Sequence, residues 1–302
     1  MPIDLQPIIN SPFGVSLVSG LGWGLPPWLG YSLADWIADQ IVSQRDAKIV
    51  RAVRANQWVA RGEELEPAAL DLAVRETLRH SARSIYDLYH YIQKPQALRR
   101  LILLDPPVQE LVCRPEFDRR GLVVVGLHLS HFDLILQSLT KQGMRPLVLT
   151  IPDPQGVRRM EYIIRKRTGM NLVPASIGAL RQALRYLQQG GVVVTGIDRP
   201  IPEPEIRPRF FGRPASLPIH HIFLAIKAHV PVMIIVTYLQ PDGRCRVVAS
   251  DLIEMDTDSY DENHALRNAE KVLYIAEGFI RQAPGQWSAS LPVWPEILDQ
   301  CP

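Results

Sequence analysis

Apolar residues recur at helical spacing along the first third of the chain and fall in short unbroken runs beyond it. Leu33, Trp36, Ile37 and Ile41 stand three to four apart, with Ser32 and Asp35 beside them. Between Glu66 and Ile92, Leu70, Leu72, Val74, Leu78, Ile85 and Leu88 supply apolar faces. Pro67 sits where a helix start tolerates proline, and Pro95 ends the segment. Residues 33 to about 104 are therefore expected to be helical. Near residue 120 the period changes. Gly121–Leu127, Pro146–Ile151, Val192–Ile197, Val230–Tyr238 and Cys245–Ser250 are predicted strands, the last two joined across Pro241-Asp242-Gly243. Helices are expected over Asp133–Gln142, Gly156–Thr168, Ile177–Gln189, Leu217–Ala228 and Asn263–Arg281, the third closed by Gly190-Gly191.

Strands alternating with helices indicate an α/β fold. The expected architecture is a mixed, mostly parallel central sheet flanked by helices, with a helical N-terminal subdomain. Residues 1–104 would form an apolar N-terminal segment and that subdomain, and residues 105–302 an α/β core, the two making one continuous domain. No internal repeat or low-complexity segment interrupts the pattern.

Composition narrows the function classes. The 302 residues are 47% hydrophobic and 21% charged, enough to bury a sizeable core. A net charge of +2 does not mark a nucleic-acid binder. Cys113, Cys245 and Cys301 show neither a CxxC spacing nor an even count, which disfavours a disulfide framework or a zinc site. The N-terminus has no basic region of the kind that opens a signal peptide, and no apolar run is long enough for an ordinary spanning helix. Yet no charged residue occurs from Leu5 to Ala34, a stretch holding Phe13, Trp23, Trp28 and Tyr31 with Trp36 just after it. It fits either an arm packed on the core or a half-buried interfacial membrane segment, since Trp and Tyr favour the headgroup region.

The most informative segment runs from Gly121 through Val123-Val124-Val125 to Gly126-Leu127-His128-Leu129-Ser130-His131-Phe132-Asp133. A buried strand delivers a histidine to its end, and a carboxylate follows five residues later. An imidazole is a useful base near neutral pH when a carboxylate fixes its tautomer and stabilises the imidazolium. His128 and Asp133 are thus the candidate catalytic pair. Ser130 and Asp133 also fit a capping box for the next helix, and His131 fits a solvated or helix-facing neighbour.

Two further stretches carry local charge. Arg158-Arg159-Met160-Glu161-Tyr162-Ile163-Ile164-Arg165-Lys166-Arg167 places five basic residues in ten, a face suited to phosphate, an acidic carrier protein or anionic lipid, or simply a solvated helix. Asp198 ends a predicted buried strand and Arg199 follows. A proline-rich loop then leads to Phe210-Phe211-Gly212-Arg213, where aromatics beside arginines suit an acyl or phosphate pocket or an ordinary anchored loop. A serine hydrolase elbow, a Walker A loop, a dinucleotide fingerprint and H-E-x-x-H are all missing.

Taken together these blocks resemble the lysophospholipid-type acyltransferases. Within them they are most similar to the bacterial lipid A biosynthesis (lauroyl/myristoyl) and phosphatidylinositol mannoside acyltransferase group, over about residues 70 to 298. The anchors are Gly126–Asp133 (an H-x4-D block), Arg165-Lys166-Arg167-Thr168-Gly169, Gly191–Arg199, Phe210–Ala215 and Pro284-Gly285-Gln286-Trp287. The resemblance implies a membrane-surface O-acyltransferase that moves a fatty acyl group from acyl-CoA or an acyl carrier protein to a hydroxyl of a lipid or glycolipid. His128 would be the general base and Asp133 its orienting partner. Ser130, Arg165, Arg167, Asp198, Arg199, Phe210, Phe211 and Arg213 would bind substrate. No metal or cofactor and no nucleic acid is expected, only the thioester co-substrate. The implied location is the cytoplasmic face of the inner membrane, peripheral or monotopic. His131 and Phe132 depart from the small or amide residues of that block, and arginines occupy the places just before Phe210 where the mannoside branch tends to carry an acid. Those departures keep a non-catalytic lipid- or carrier-binding homologue, or an acyl thioesterase, as alternatives.

Overall fold

The computed structural model describes residues 24–113, 120–151, 162–163, 165–256 and 262–302. The segment from Leu5 to Trp23, and residues 158–161 and 164 of the basic stretch, lie outside the described residues.

Three helices come first: α1 (Pro27–Val42), α2 (Lys48–Ala60) and α3 (Pro67–Tyr91). The long apolar periodicity ending before Pro95 is thus α3, within a residue of its expected bounds. α1 runs antiparallel along α3, since Asp35 pairs with Arg83 and Asp39 with both Arg75 and Arg79. Gly30 permits the approach: a Cβ there would stand 2.1 Å from Cε2 of Tyr86. On α2 the buried Asn56 donates to the carbonyls of Ala289 and Leu291 and accepts from the N–H of Val293. The helical subdomain is therefore fastened to the C-terminal segment by hydrogen bonds from one buried side chain to three backbone groups.

After α4 (Pro95–Leu101), the strand β1 (Ile102–Leu104) and α5 (Pro106–Cys113), the chain builds the sheet. Its strands are β2 (Leu122–Gly126), β3 (Leu147–Thr150), β4 (Asn171–Pro174), β5 (Val192–Gly196), β8 (Val232–Leu239) and β9 (Cys245–Ala249). A small antiparallel hairpin, β6 (Arg209–Phe210) with β7 (Arg213–Pro214), stands apart. The seven-stranded order is β1-β9-β8-β2-β5-β3-β4. β8, β2, β5, β3 and β4 are parallel, while β9 lies antiparallel to β8 and carries β1 parallel to itself. This is the mixed, mostly parallel α/β sheet that the sequence predicts. The edge strands β1 and β4 and the two-residue β6 and β7 add to the predicted set.

Valine-rich runs read as central strands because both faces are covered. Val123 and Val125 pack with Leu147, Val193, Val232 and Ile234 on one face, under α7 (Ile177–Gln188), α8 (His220–Ala228) and α9 (Glu262–Gln282). Leu122 and Val124 pack with Val148, Val192 and Val194 on the other, under α6 (Phe132–Lys141). The alternation follows from the two-residue period of a strand. Gly190 ends α7 with φ +84°, as the glycine pair predicts.

Candidate active site

β2 and β5 lie side by side, with Leu122 to Gly126 in register against Val192 to Gly196. Each strand ends on its paired glycine, and each puts its functional residue two positions further on. His128 and Asp198 therefore meet across the C-terminal edge of the sheet, where α/β folds open their binding crevices.

The contact is close. Nδ1 of His128 lies 2.7 Å from Oδ1 of Asp198. Oδ2 of Asp198 accepts the backbone N–H of His128 at 2.7 Å and the indole N–H of Trp287 at 2.8 Å. The Asp198 side chain is fully buried, while that of His128 keeps 28% of its surface. Burial alone would raise the Asp198 carboxyl. The charge of the His128 imidazole and the three N–H donors outweigh it and hold the group below its usual range. An ionised carboxylate beside Nδ1 favours the proton there, which leaves Nε2 of His128 as the basic nitrogen. Gly196 lies beside the ring: a Cβ there would make ordinary van der Waals contact with Cε1 of His128 at 3.5 Å. Phe132 meets the imidazole edge-on at 4.6 Å.

The expected pairing of His128 with Asp133 is therefore replaced by His128 with Asp198. Asp133 makes two hydrogen bonds with Arg165, Nε at 2.9 Å and Nη2 at 2.8 Å, and accepts from Gln137 at 3.2 Å. The reason is geometric. The backbone N–H of His128 points to β5, and Asp133 lies beyond a turn in which Ser130 adopts φ +50°. The capping box is absent as well. The N-cap is His131 with no side-chain cap bond, and Ser130 Oγ lies 2.8 Å from Nδ1 of His131. A left-handed serine costs on the order of 1–2 kcal/mol. Neighbours hold it: Ser130 N–H donates to Gln286 O, Ser288 N–H donates to His128 O, and Leu129 bridges to Trp287. The Pro284-Gly285-Gln286-Trp287 turn thus braces the His128 loop and supplies the third donor to Asp198.

A cavity of about 350 Å³ opens at this edge. His128, Asp133, Arg165 and Arg199 line it, as do Thr195 and His220, and its remaining wall is largely apolar, with Leu136, Val148, Tyr162, Met170, Val194 and Ile201. Nε2 of His220 lies 3.1 Å from Oγ1 of Thr195, and burial pushes that imidazole below its usual pKa.

Other expected binding residues stand elsewhere. Ser130 is buried behind the loop, and Arg167 is exposed and does not line the cavity. Phe210 is fully buried, stacked on Trp294 at 5.7 Å and edge-on to Trp287 at 6.0 Å. Phe211, at φ +50°, donates its N–H to Glu277 at 2.6 Å and lies 4.9 Å from the Arg281 guanidinium. Arg213 pairs with Glu63 in the loop after α2. The Phe-Phe-Gly block is thus an aromatic clasp under the site rather than a cavity wall. Trp287, Thr195 and His220 were missed as site residues. The signal for the Asp198 pairing was present: Val124-Val125-Gly126-Leu127-His128 and Val194-Thr195-Gly196-Ile197-Asp198 share one strand-ending pattern.

Among the described residues no group of three or more His, Cys, Asp or Glu is arranged to hold a metal, and no helix is long and apolar enough to cross a membrane. Comparison with curated proteins gives no match. A family model described as bacterial lipid A biosynthesis acyltransferase matches residues 109–294, more than half of the chain and all of the strands that carry His128, Asp198 and the cavity. The chain belongs to the bacterial lipid A biosynthesis acyltransferase family, which gives it acyl transfer in lipid A-type biosynthesis as its class of activity.

Proposed function

We propose that the protein transfers a fatty acyl group from a thioester, acyl-CoA or acyl carrier protein, to a hydroxyl of a lipid or glycolipid acceptor, with His128 as general base and Asp198 as its orienting carboxylate. The observation that carries this reading is the His128–Asp198 pair at the polar end of an apolar cavity. Nε2 of His128 takes the proton of the acceptor hydroxyl as its oxygen attacks the thioester carbonyl. Asp198 offsets the charge of the imidazolium that forms. The tetrahedral intermediate collapses, the C–S bond breaks, and the imidazolium returns its proton to the departing thiolate. Among the described residues no serine or cysteine lines the cavity beside His128, which supports direct displacement.

Arg165, fixed by Asp133, and Arg199 bring positive charge to the cavity, where it suits the phosphates of donor or acceptor and the developing oxyanion. The apolar wall suits the acyl chain. Contact with the membrane is supported by α1, on which Trp28 and Trp36 are 71% and 55% exposed and Leu29 is exposed beside them. The protein then works as a peripheral or monotopic enzyme at the cytoplasmic face of the inner membrane.

The test is a purified-protein assay with acyl-CoA and with acyl carrier protein, each with and without lipid acceptor vesicles, scored by mass spectrometry of the lipid. Acylated lipid should form, and His128→Ala should abolish it. Near wild-type turnover in that variant would sink the mechanism. Thioester loss without acylated lipid would place the protein among thioester hydrolases instead.

A further inference from the structure

A second histidine–aspartate pair lies behind the His128 loop. Nε2 of His131 is 2.6 Å from Oδ2 of Asp87 on α3, and the two side chains are 0% and 5% exposed. Oδ1 of Asp87 accepts the hydroxyl of Tyr31 on α1 at 2.9 Å, and Nδ1 of His131 lies 2.8 Å from Ser130 Oγ. A hydrogen-bonded chain thus runs from α1 through α3 to the left-handed Ser130. Its residue types are those of a nucleophilic triad. Ser130 is nevertheless buried and does not line the cavity, so its hydroxyl has no route to a substrate.

The chain instead grips the turn between the base and α6. His131 is the N-cap of α6, and the next two residues are Phe132, whose ring meets the His128 imidazole, and Asp133, which fixes Arg165. On the far side Gln286 and Ser288 hold the backbone of the same turn. Tilting residue 131 therefore moves a ring in contact with the base and the carboxylate that sets a cavity arginine. Asp87 and Tyr31 precede the residues that match the family, 109–294. The helical subdomain contributes a constraint that the matched core does not contain.

We infer that Asp87 and His131 are positioning residues, a buried hydrogen-bonded clamp through which the helical subdomain sets the geometry of the His128 loop for acyl transfer. The inference rests on the catalytic reading of His128 but is tested separately from it. Asp87→Asn and His131→Leu are compared with His131→Gln, which keeps an N–H donor for Asp87, and with Asp39→Asn, which loosens α1 from α3 at Arg75 and Arg79, away from the clamp. The readouts are kcat and KM for the acyl thioester, measured below each variant's melting temperature, and amide hydrogen exchange over residues 127–135. Asp87→Asn and His131→Leu are expected to lose about tenfold or more in kcat, with KM within about twofold. They should exchange faster over that segment, and the double variant should be no worse than the poorer single one. His131→Gln should recover part of kcat, and Asp39→Asn should keep all of it.

Unchanged kcat in folded Asp87→Asn and His131→Leu, or losses that add in the double variant, would overturn the clamp. So would an equal loss in Asp39→Asn, because the effect would then be general loosening. If the wild type turns over no thioester, the acyl-transfer reading fails. The exchange data still decide the clamp: unaltered protection of 127–135 in Asp87→Asn refutes it.

Discussion

Replacing Asp198 by Asn separates the two carboxylates that compete for the role of His128's partner. The carboxylate accepts three N–H groups, at 2.7, 2.7 and 2.8 Å, from a fully buried position. An asparagine has one acceptor oxygen, so at least one of these donors faces an NH2 group. A buried donor left unmade costs about 1–3 kcal/mol of stability. The loss in rate is larger. Without the carboxylate, Nδ1 is no longer forced to carry the proton, and the imidazolium formed in the transition state loses its counter-charge. Where a buried carboxylate holds a catalytic histidine, such a change lowers kcat by about 10³–10⁴, or about 4–5 kcal/mol. Asp133→Asn removes a charge from a half-open pair with Arg165, and about a tenfold loss is expected, expressed mainly in KM. The assay is single-turnover acylation of the lipid acceptor over a range of thioester concentrations up to saturation, with thermal melts to confirm that each variant is folded. Turnover of Asp198→Asn within about threefold of wild type, or a deeper loss in Asp133→Asn, would refute the assignment.

Trp287→Phe keeps the aromatic clasp but removes one donor to Asp198; kcat should fall about tenfold and stability by about 1–2 kcal/mol, checked by kinetics and denaturant titration. Stability should fall on mild acidification, because burial pushes His80 down to about 3 and lowers His220 and His221. The unfolded chain binds those protons below about pH 6.5 and the folded one does not, so His80 alone costs up to about 2 kcal/mol between pH 7 and pH 5. Urea melts of wild type and His80→Gln should show the slope reduced in the variant, and equal slopes would contradict it. Gly121→Ala should destabilise the fold by about 3 kcal/mol or more, since its Cβ would sit 2.2 Å from the carbonyl oxygen of Leu187; a melting temperature within about 2 °C of wild type would contradict that contact.

The chain's local patterns are enough to locate most of its helices and strands. Three valines and a glycine before His128 mark a central strand because only a strand covered on both faces can bury such a run. The period of α3 is legible because its apolar stripe must face α1 and α2. A histidine at a strand end near a basic helix, a second strand ending in Asp198 and the Phe210-Phe211-Gly212 turn likewise suffice to point to the acyltransferase resemblance that the family match bears out. Sequence spacing, however, ranks partners by nearness along the chain, and it offered Asp133. Asp198 is 70 residues from His128, and the contact exists only because β5 returns to pair with β2 after two other strands have been laid down. The same holds for Trp287, Asp87 and Phe210. Trp287 reaches Asp198 from beyond the last helix, Asp87 reaches His131 from a helix before the sheet, and Phe210 is drawn into the core rather than the cavity. Local spacing decided which segments become strands and helices. Strand register and layer packing, which are non-local, decided which side chains meet.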